Sequence, residues 1–155
     1  MAIMASLVAV ATFIVQIPNP ATKGYINFGD IMIFVSALTF GPVVGGFAGS
    51  VGSAISDIAG GFGLFAPFTF AIKGVEGLIA GVITNRSSLI RDGLAVVLAG
   101  LEMVVGYFVT EVYLYGVPSA LTEVPGNISQ IVVGGLIGIP VAVVLRKRLP
   151  KFWIK

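Results

Sequence analysis

The chain alternates long apolar runs with short polar or proline-glycine breaks, and six runs can be laid out. A helix that crosses a bilayer needs roughly 17–25 mostly apolar residues, and fewer where protein covers it. The first run, 2–17, is stopped by Pro18-Asn19-Pro20, where two prolines remove backbone donors and disfavour helix. The second is short, 30–40, and ends at Gly41-Pro42. The third covers 43–58 and ends at Gly60-Gly61. Pro67 suits the first turn of the fourth, which reaches about Asn85. The fifth spans 93–117 and stops before Pro118. The sixth is expected after a turn at Pro125-Gly126, with Asn127 as N-cap, and runs to Leu145. A single long kinked span made of the second and third runs is the alternative reading.

Composition turns this pattern into a class. Of 155 residues, 57% are hydrophobic and 10% charged, with mean hydropathy +1.05. A soluble domain carries about 25% charged residues, so this chain cannot coat a water-facing surface. The expectation is an all-α membrane protein, one domain over 1–155, built as a bundle of six transmembrane helices. The chain has no Cys and no His. Disulfides, thiolate metal sites and the commonest general base are therefore excluded. No cofactor, metal or catalytic group is expected. The first run lacks a basic leader and a small-x-small cleavage site, so it reads as a retained helix rather than a signal peptide. It starts almost at Met1 with no polar lead, which leaves open an earlier natural start.

The position of the charges orients the bundle. With six spans both termini share a side with the loop 86–92, and that side collects Arg86, Arg91, Arg146, Lys147, Arg148, Lys151 and Lys155. The other side offers Lys23 among the acids Asp30, Asp57, Glu111 and Glu123 near helix ends. The positive-inside rule then places both termini in the cytoplasm of a prokaryotic cell (inner, plasma) membrane.

Small residues form stripes suited to close helix packing in lipid. There are 21 Gly; Gly45, Gly49 and Ser53 fall four apart and lead to Asp57, and Gly77/Gly81 and Gly134/Gly138 repeat the spacing. Ala5 and Ala9, beside Ala2 and Ser6, make a similar stripe that packs either within the chain or on a partner.

Three ionisable groups lie within runs: Lys73, Glu76 and Glu102. Each costs about 2.5–3.5 kcal/mol near the bilayer centre, which marks a binding site or pathway, or else an internal ion pair. Thr69, Lys73, Glu76 and Ala80 share one helical face. Lys73 is six residues past Pro67, about 9 Å along the helix, in the outer half. Asn127 and Gln130 (i, i+3) offer amides at the same level. Tyr25, Phe28, Phe62, Phe65, Phe68, Tyr107, Tyr113 and Tyr115 crowd there as well, as interfacial belt or as stacking surfaces for a flat ligand. The candidate polar anchors are Lys73, Glu76, Glu102, Asn127 and Gln130, with Asp57 at the pocket mouth. Asn27, Thr69 and Tyr107 complete the candidate site, and a small planar polar molecule suits it. No phosphate-binding loop is present, so ATP hydrolysis is not expected of this chain. A stand-alone proton-coupled carrier using Lys73, Glu76 and Glu102 is the alternative function, although the halves show no inverted repeat.

Particular runs carry a family resemblance. They are Gly24-Tyr25-Ile26-Asn27-Phe28-Gly29-Asp30, Phe40-Gly41-Pro42 with the Gly/Ser-rich segment to Asp57, Ala66-Pro67-Phe68-Thr69-Phe70-Ala71-Ile72-Lys73-Gly74-Val75-Glu76-Gly77, and Gly126-Asn127-Ile128-Ser129-Gln130. Together they resemble the substrate-binding S components of energy-coupling factor (ECF) transporters, closest to the branch associated with hydroxymethylpyrimidine or vitamin B6 compounds and more loosely riboflavin. The resemblance implies six helices, cytoplasmic termini, and capture of a vitamin or precursor from outside beneath a loop, here 18–29 with Tyr25 and Phe28. It implies docking of the Ala5/Ala9 stripe on a membrane coupling (T) subunit. It also implies two partner ATPases that drive uptake as the S component topples. No nucleic acid is expected as a partner. The nickel and cobalt branch relies on an N-terminal His that is missing here.

Overall fold

The computed structural model describes residues 1–22, 24–85 and 88–150. Six helices and one hairpin make up the described chain: α1 (Ala2–Ile14), β1 (Gln16–Pro18), β2 (Tyr25–Asn27), α2 (Gly29–Phe40), α3 (Pro42–Gly60), α4 (Ala66–Ile83), α5 (Leu89–Tyr115) and α6 (Val117–Arg148). Four of them, α3 to α6, are long and apolar enough to cross a membrane by length and composition. The other two, of 13 and 12 residues, are shorter.

The shortness of α2 has a physical reason. Seven consecutive residues, Ile33 to Thr39, are buried, Ser36 and Thr39 among them, so it is sheathed on all sides by protein rather than lipid. Gly41, at φ 93°, ends it and turns the chain directly into α3. The two helices then lie side by side: a Cβ on Gly45 would sit 2.5 Å from the Ala37 Cβ, and one on Gly49 would approach Ile33. They form a helical hairpin, not one kinked span. Residues 48–52 of α3 adopt a π-helical turn, where α1 packs with Ala5 and Val8 facing Gly52.

The glycine stripes are packing surfaces. A Cβ on Gly49 would collide with the Lys73 carbonyl, so α3 and α4 touch backbone to backbone. Gly134 and Gly138 of α6 accept the Phe34 ring of α2. Around Phe34 and Leu38, the buried Ala95, Ala99 and Met103 of α5 and Ala142 of α6 close the core. The opposite face of α5 exposes Val97, Leu101, Val105 and Val109 at four-residue spacing, as a lipid-facing stripe requires.

Two expected boundaries change. The first helix ends at Ile14, not residue 17, because Gln16–Pro18 pairs antiparallel with Tyr25–Asn27. The sixth helix begins at Val117, with Pro118 in its first turn and Pro125 inside it. Pro118 is therefore a helix starter rather than a stop, and the reversal falls at Gly116, at φ 86°. Asn127 is an interior residue and caps nothing. Of the basic set, Arg91 lies in the first turn of α5 and Arg146, Lys147 and Arg148 in the last turn of α6, at the end away from the hairpin. Arg86, Lys151, Lys155 and Lys23 lie outside the described residues.

Candidate binding site

Beneath the hairpin, all six helices except α2 supply side chains to one cleft enclosing about 440 Å³ of non-protein space, its mouth included.

The charged floor is a lysine held between two helices. Lys73, 2% exposed, forms an ion pair with Asp30 of α2, and its Nζ lies 3.1 Å from Glu76 Oε2 one turn further along α4. Asp30 occupies the first turn of α2, where the helix dipole favours a carboxylate. The Lys73 ammonium also lies 5.6 Å from the Tyr107 ring centroid, within cation–π reach. Lys73 is thus committed to the protein on most sides, with one face toward the cleft.

The walls come from helix ends. Thr69 and Tyr107 are joined by a 3.2 Å hydrogen bond from the Tyr107 hydroxyl. The Gln130 amide donates to Asn127 Oδ1 (2.9 Å), and Gln130 Oε1 accepts the Asn27 backbone N–H (3.2 Å). Glu111, from the last turns of α5, and Glu123, from the early turns of α6, stand on the same wall.

The roof is the hairpin, latched by side chains. The Tyr25 hydroxyl donates to Asp57 Oδ1 (2.5 Å), the Thr22 hydroxyl donates to Glu123, and the Asn19 amide donates to Thr122 (3.0 Å). Burial, and then the Asp57 charge, push the Tyr25 phenol up from its ordinary value, so it stays a donor. The Tyr25 and Phe62 rings meet at 4.4 Å, closing the roof over the α3–α4 turn. Asn27 Oδ1 accepts the Gly29 N–H (2.8 Å), fixing the step from β2 into α2.

Of the residues singled out from sequence, Tyr25, Asn27, Asp57, Thr69, Lys73, Tyr107, Asn127 and Gln130 line the cleft together. Glu76 lies behind Lys73 and is fully buried. Glu102 is half-buried on α5, outside the cleft lining, and its Oε2 has no hydrogen-bond partner among the described residues. Phe28 is 41% exposed at the hairpin's outer edge, also outside the lining. Ala5 is buried against α3, which leaves Ala9 at the surface, bordering an apolar groove with Phe13, Ile14, Ile55 and Ala59.

Sequence reasoning missed Thr12, Ser53, Glu111 and Glu123 as lining residues and Asp30 as the lysine's partner, while Phe65, one of the aromatics offered as a stacking surface, does line the cleft. Thr12 carried a faint signal, since Ala5, Val8 and Thr12 fall on one face of α1 and all three are buried. Glu123 was hidden by the expected turn at Pro125, which assigned it to a loop between helices. Glu111 fell near the end of the expected fifth helix and was read there only as an acid on the outer side.

Comparison with known proteins places these features. A family model described as "ECF-type riboflavin transporter, S component" matches residues 1–147. A protein of Pyrococcus woesei, named "uncharacterized protein in gap 3′ region", is 46% identical over 143 residues, covering 92% of this chain and 96% of its own. The thiamine precursor transporter HmpT of Lactococcus lactis subsp. cremoris (strain MG1363) is 30% identical over 139 residues, covering 86% of this chain and 78% of that one. A solved S component of a bacterial ECF transporter has the same fold, with a TM-score of 0.64 at 22% identity, over 97% of this chain and 93% of that one.

Proposed function

This chain belongs to the family of ECF-type transporter S components, and from that premise we propose that its hairpin-roofed cleft captures a small water-soluble vitamin or vitamin precursor from the outer side. As a family member it is a membrane-embedded substrate-binding subunit of an ECF transporter, not an enzyme. The observation that carries the proposal is the roof: three side-chain hydrogen bonds hold β1, β2 and their loop over a cleft floored by Lys73. A loop latched by a few exchangeable bonds can open for a ligand and reclose on it, whereas a buried packing contact cannot.

A hydroxymethylpyrimidine or B6 compound is the favoured substrate, with riboflavin second. The name of the Lactococcus relative supports the first and the family's description the second. The termini are assigned to the cytoplasm, since Arg91, Arg146, Lys147 and Arg148 lie at the end away from the hairpin. ATP-driven uptake is assigned to a membrane coupling subunit and two partner ATPases, as membership of the family implies.

The direct test is to identify by mass spectrometry the small molecule that co-purifies, then measure thermal stabilisation by it, which should follow RT ln(1 + [L]/Kd). A chain that carries no small molecule, and that no thiamin, pyrimidine, B6 or flavin compound stabilises, sinks the proposal. Docking on the coupling subunit is assigned to the surface around Ala9. Ala9→Trp should spare ligand binding and block co-purification with the coupling subunit; intact co-purification would remove α1 from the docking surface.

A further inference from the structure

The wall of the cleft carries more carboxylate than the protein itself can satisfy. Asp57, Glu111 and Glu123 all line it, and each is at most 3% exposed. Among the described residues the basic lining is Lys73 alone, already paired with Asp30 and Glu76. Asp57 and Glu123 are each given one donor by the hairpin, from Tyr25 and Thr22. Among the described residues, Glu111 Oε2 is buried with no hydrogen-bond partner, and the buried Thr12 hydroxyl, also in the lining, has none either. A buried carboxylate oxygen without a donor costs free energy unless something supplies a proton-bearing group.

We infer that the ligand supplies it: the cleft selects an unphosphorylated nitrogen heterocycle that presents an amino group or protonated ring nitrogen to Glu111. A phosphate ester would bring two negative charges against three buried acids, with no unpaired cation among the described lining residues to meet it. A neutral ring without an amine would leave Glu111 unsatisfied. This inference rests on the substrate-binding reading and narrows it. It also assigns Glu111 a recognition role beside the lysine floor.

The test compares matched probes on the purified full chain by calorimetry. The probes are aminated hydroxymethylpyrimidine and pyridoxamine, their phosphate esters, and riboflavin. The expected order is aminated and unphosphorylated first, with each phosphate ester bound at least 10-fold more weakly. Glu111→Gln should weaken the aminated probes by about 10- to 100-fold, the worth of a hydrogen bond to a charged group. A phosphate ester that binds as well as its parent overturns the inference. So does riboflavin binding tighter than both aminated probes, or a folded Glu111→Gln chain that binds aminated probes normally. In those cases the substrate-binding reading survives, because a vitamin has still bound. Silence from every probe overturns the inference, and the substrate-binding reading falls with it only if no small molecule co-purifies and thiamin is silent too.

Discussion

At the end of the bundle away from the hairpin, Arg146 grips both oxygens of Asp92 (2.8 and 3.1 Å) and donates through Nε to the Leu38 carbonyl (3.0 Å), while the Thr84 hydroxyl donates to the same Asp92. Four helices meet there, and the carboxylate is fully buried and fully used. Under the hairpin, Glu111 Oε2 and the Thr12 hydroxyl are just as buried and unused. The two ends spend buried polarity differently. A saturated fork-to-fork ion pair with extra acceptors leaves no reason for a ligand to enter. An unsaturated wall is poorly solvated when empty and gains most when a donor arrives. The lysine floor lies between these cases, since Lys73 has two carboxylate neighbours but still borders the cleft.

Substitutions can break or sharpen this contrast. The largest effect belongs to the sealed end. Arg146→Ala strands a buried Asp92 carboxylate and should cost about 3–5 kcal/mol of stability, read as a fall in melting temperature in detergent, with ligand affinity of the folded fraction unchanged. If affinity fell and stability held, the two ends would not be separate devices. Next comes the roof. Tyr25→Phe removes the donor to Asp57, worth about 0.5–1.5 kcal/mol, and should speed ligand dissociation several-fold with little change in melting temperature; stopped-flow release of a bound ligand measures it. Smallest is Glu111→Gln in the empty protein. Because it removes an unsatisfied buried carboxylate, it should leave stability unchanged or raise it by up to about 1 kcal/mol. A clear loss of stability would mean that Glu111 is already satisfied, and the contrast would fail at its sharpest point.

The helix plan was legible wherever local chemistry and tertiary structure agree. Gly41-Pro42 and Gly60-Gly61 each break a helix in the fold as in the sequence. It failed at Pro118 and Pro125, because a proline starts a helix as readily as it ends one. Its ring can also be carried inside a helix when neighbouring helices hold the backbone. That ambiguity hid Glu123. The site was half legible: Lys73, Asn127 and Gln130 stand out because polar groups in apolar runs need a purpose. Thr12 and Ser53 do not, since a lone hydroxyl in a membrane helix can bond to its own backbone and signals nothing.

The sequence alone determined that this is a helical membrane protein, where its charges lie along the chain, and that Lys73 needs a buried partner. Burial cost and helix periodicity are local, so a chain can declare them without its fold. Only the tertiary structure decided that Lys73 pairs with Asp30, 43 residues earlier, as well as with Glu76, and not with Glu102. It alone showed that Ala5 is spent on packing while Ala9 is free, and that the acids of α5 and α6 face one cleft. Those outcomes depend on which helices become neighbours. That is settled by backbone contacts such as Gly49 against Lys73, which no single segment encodes.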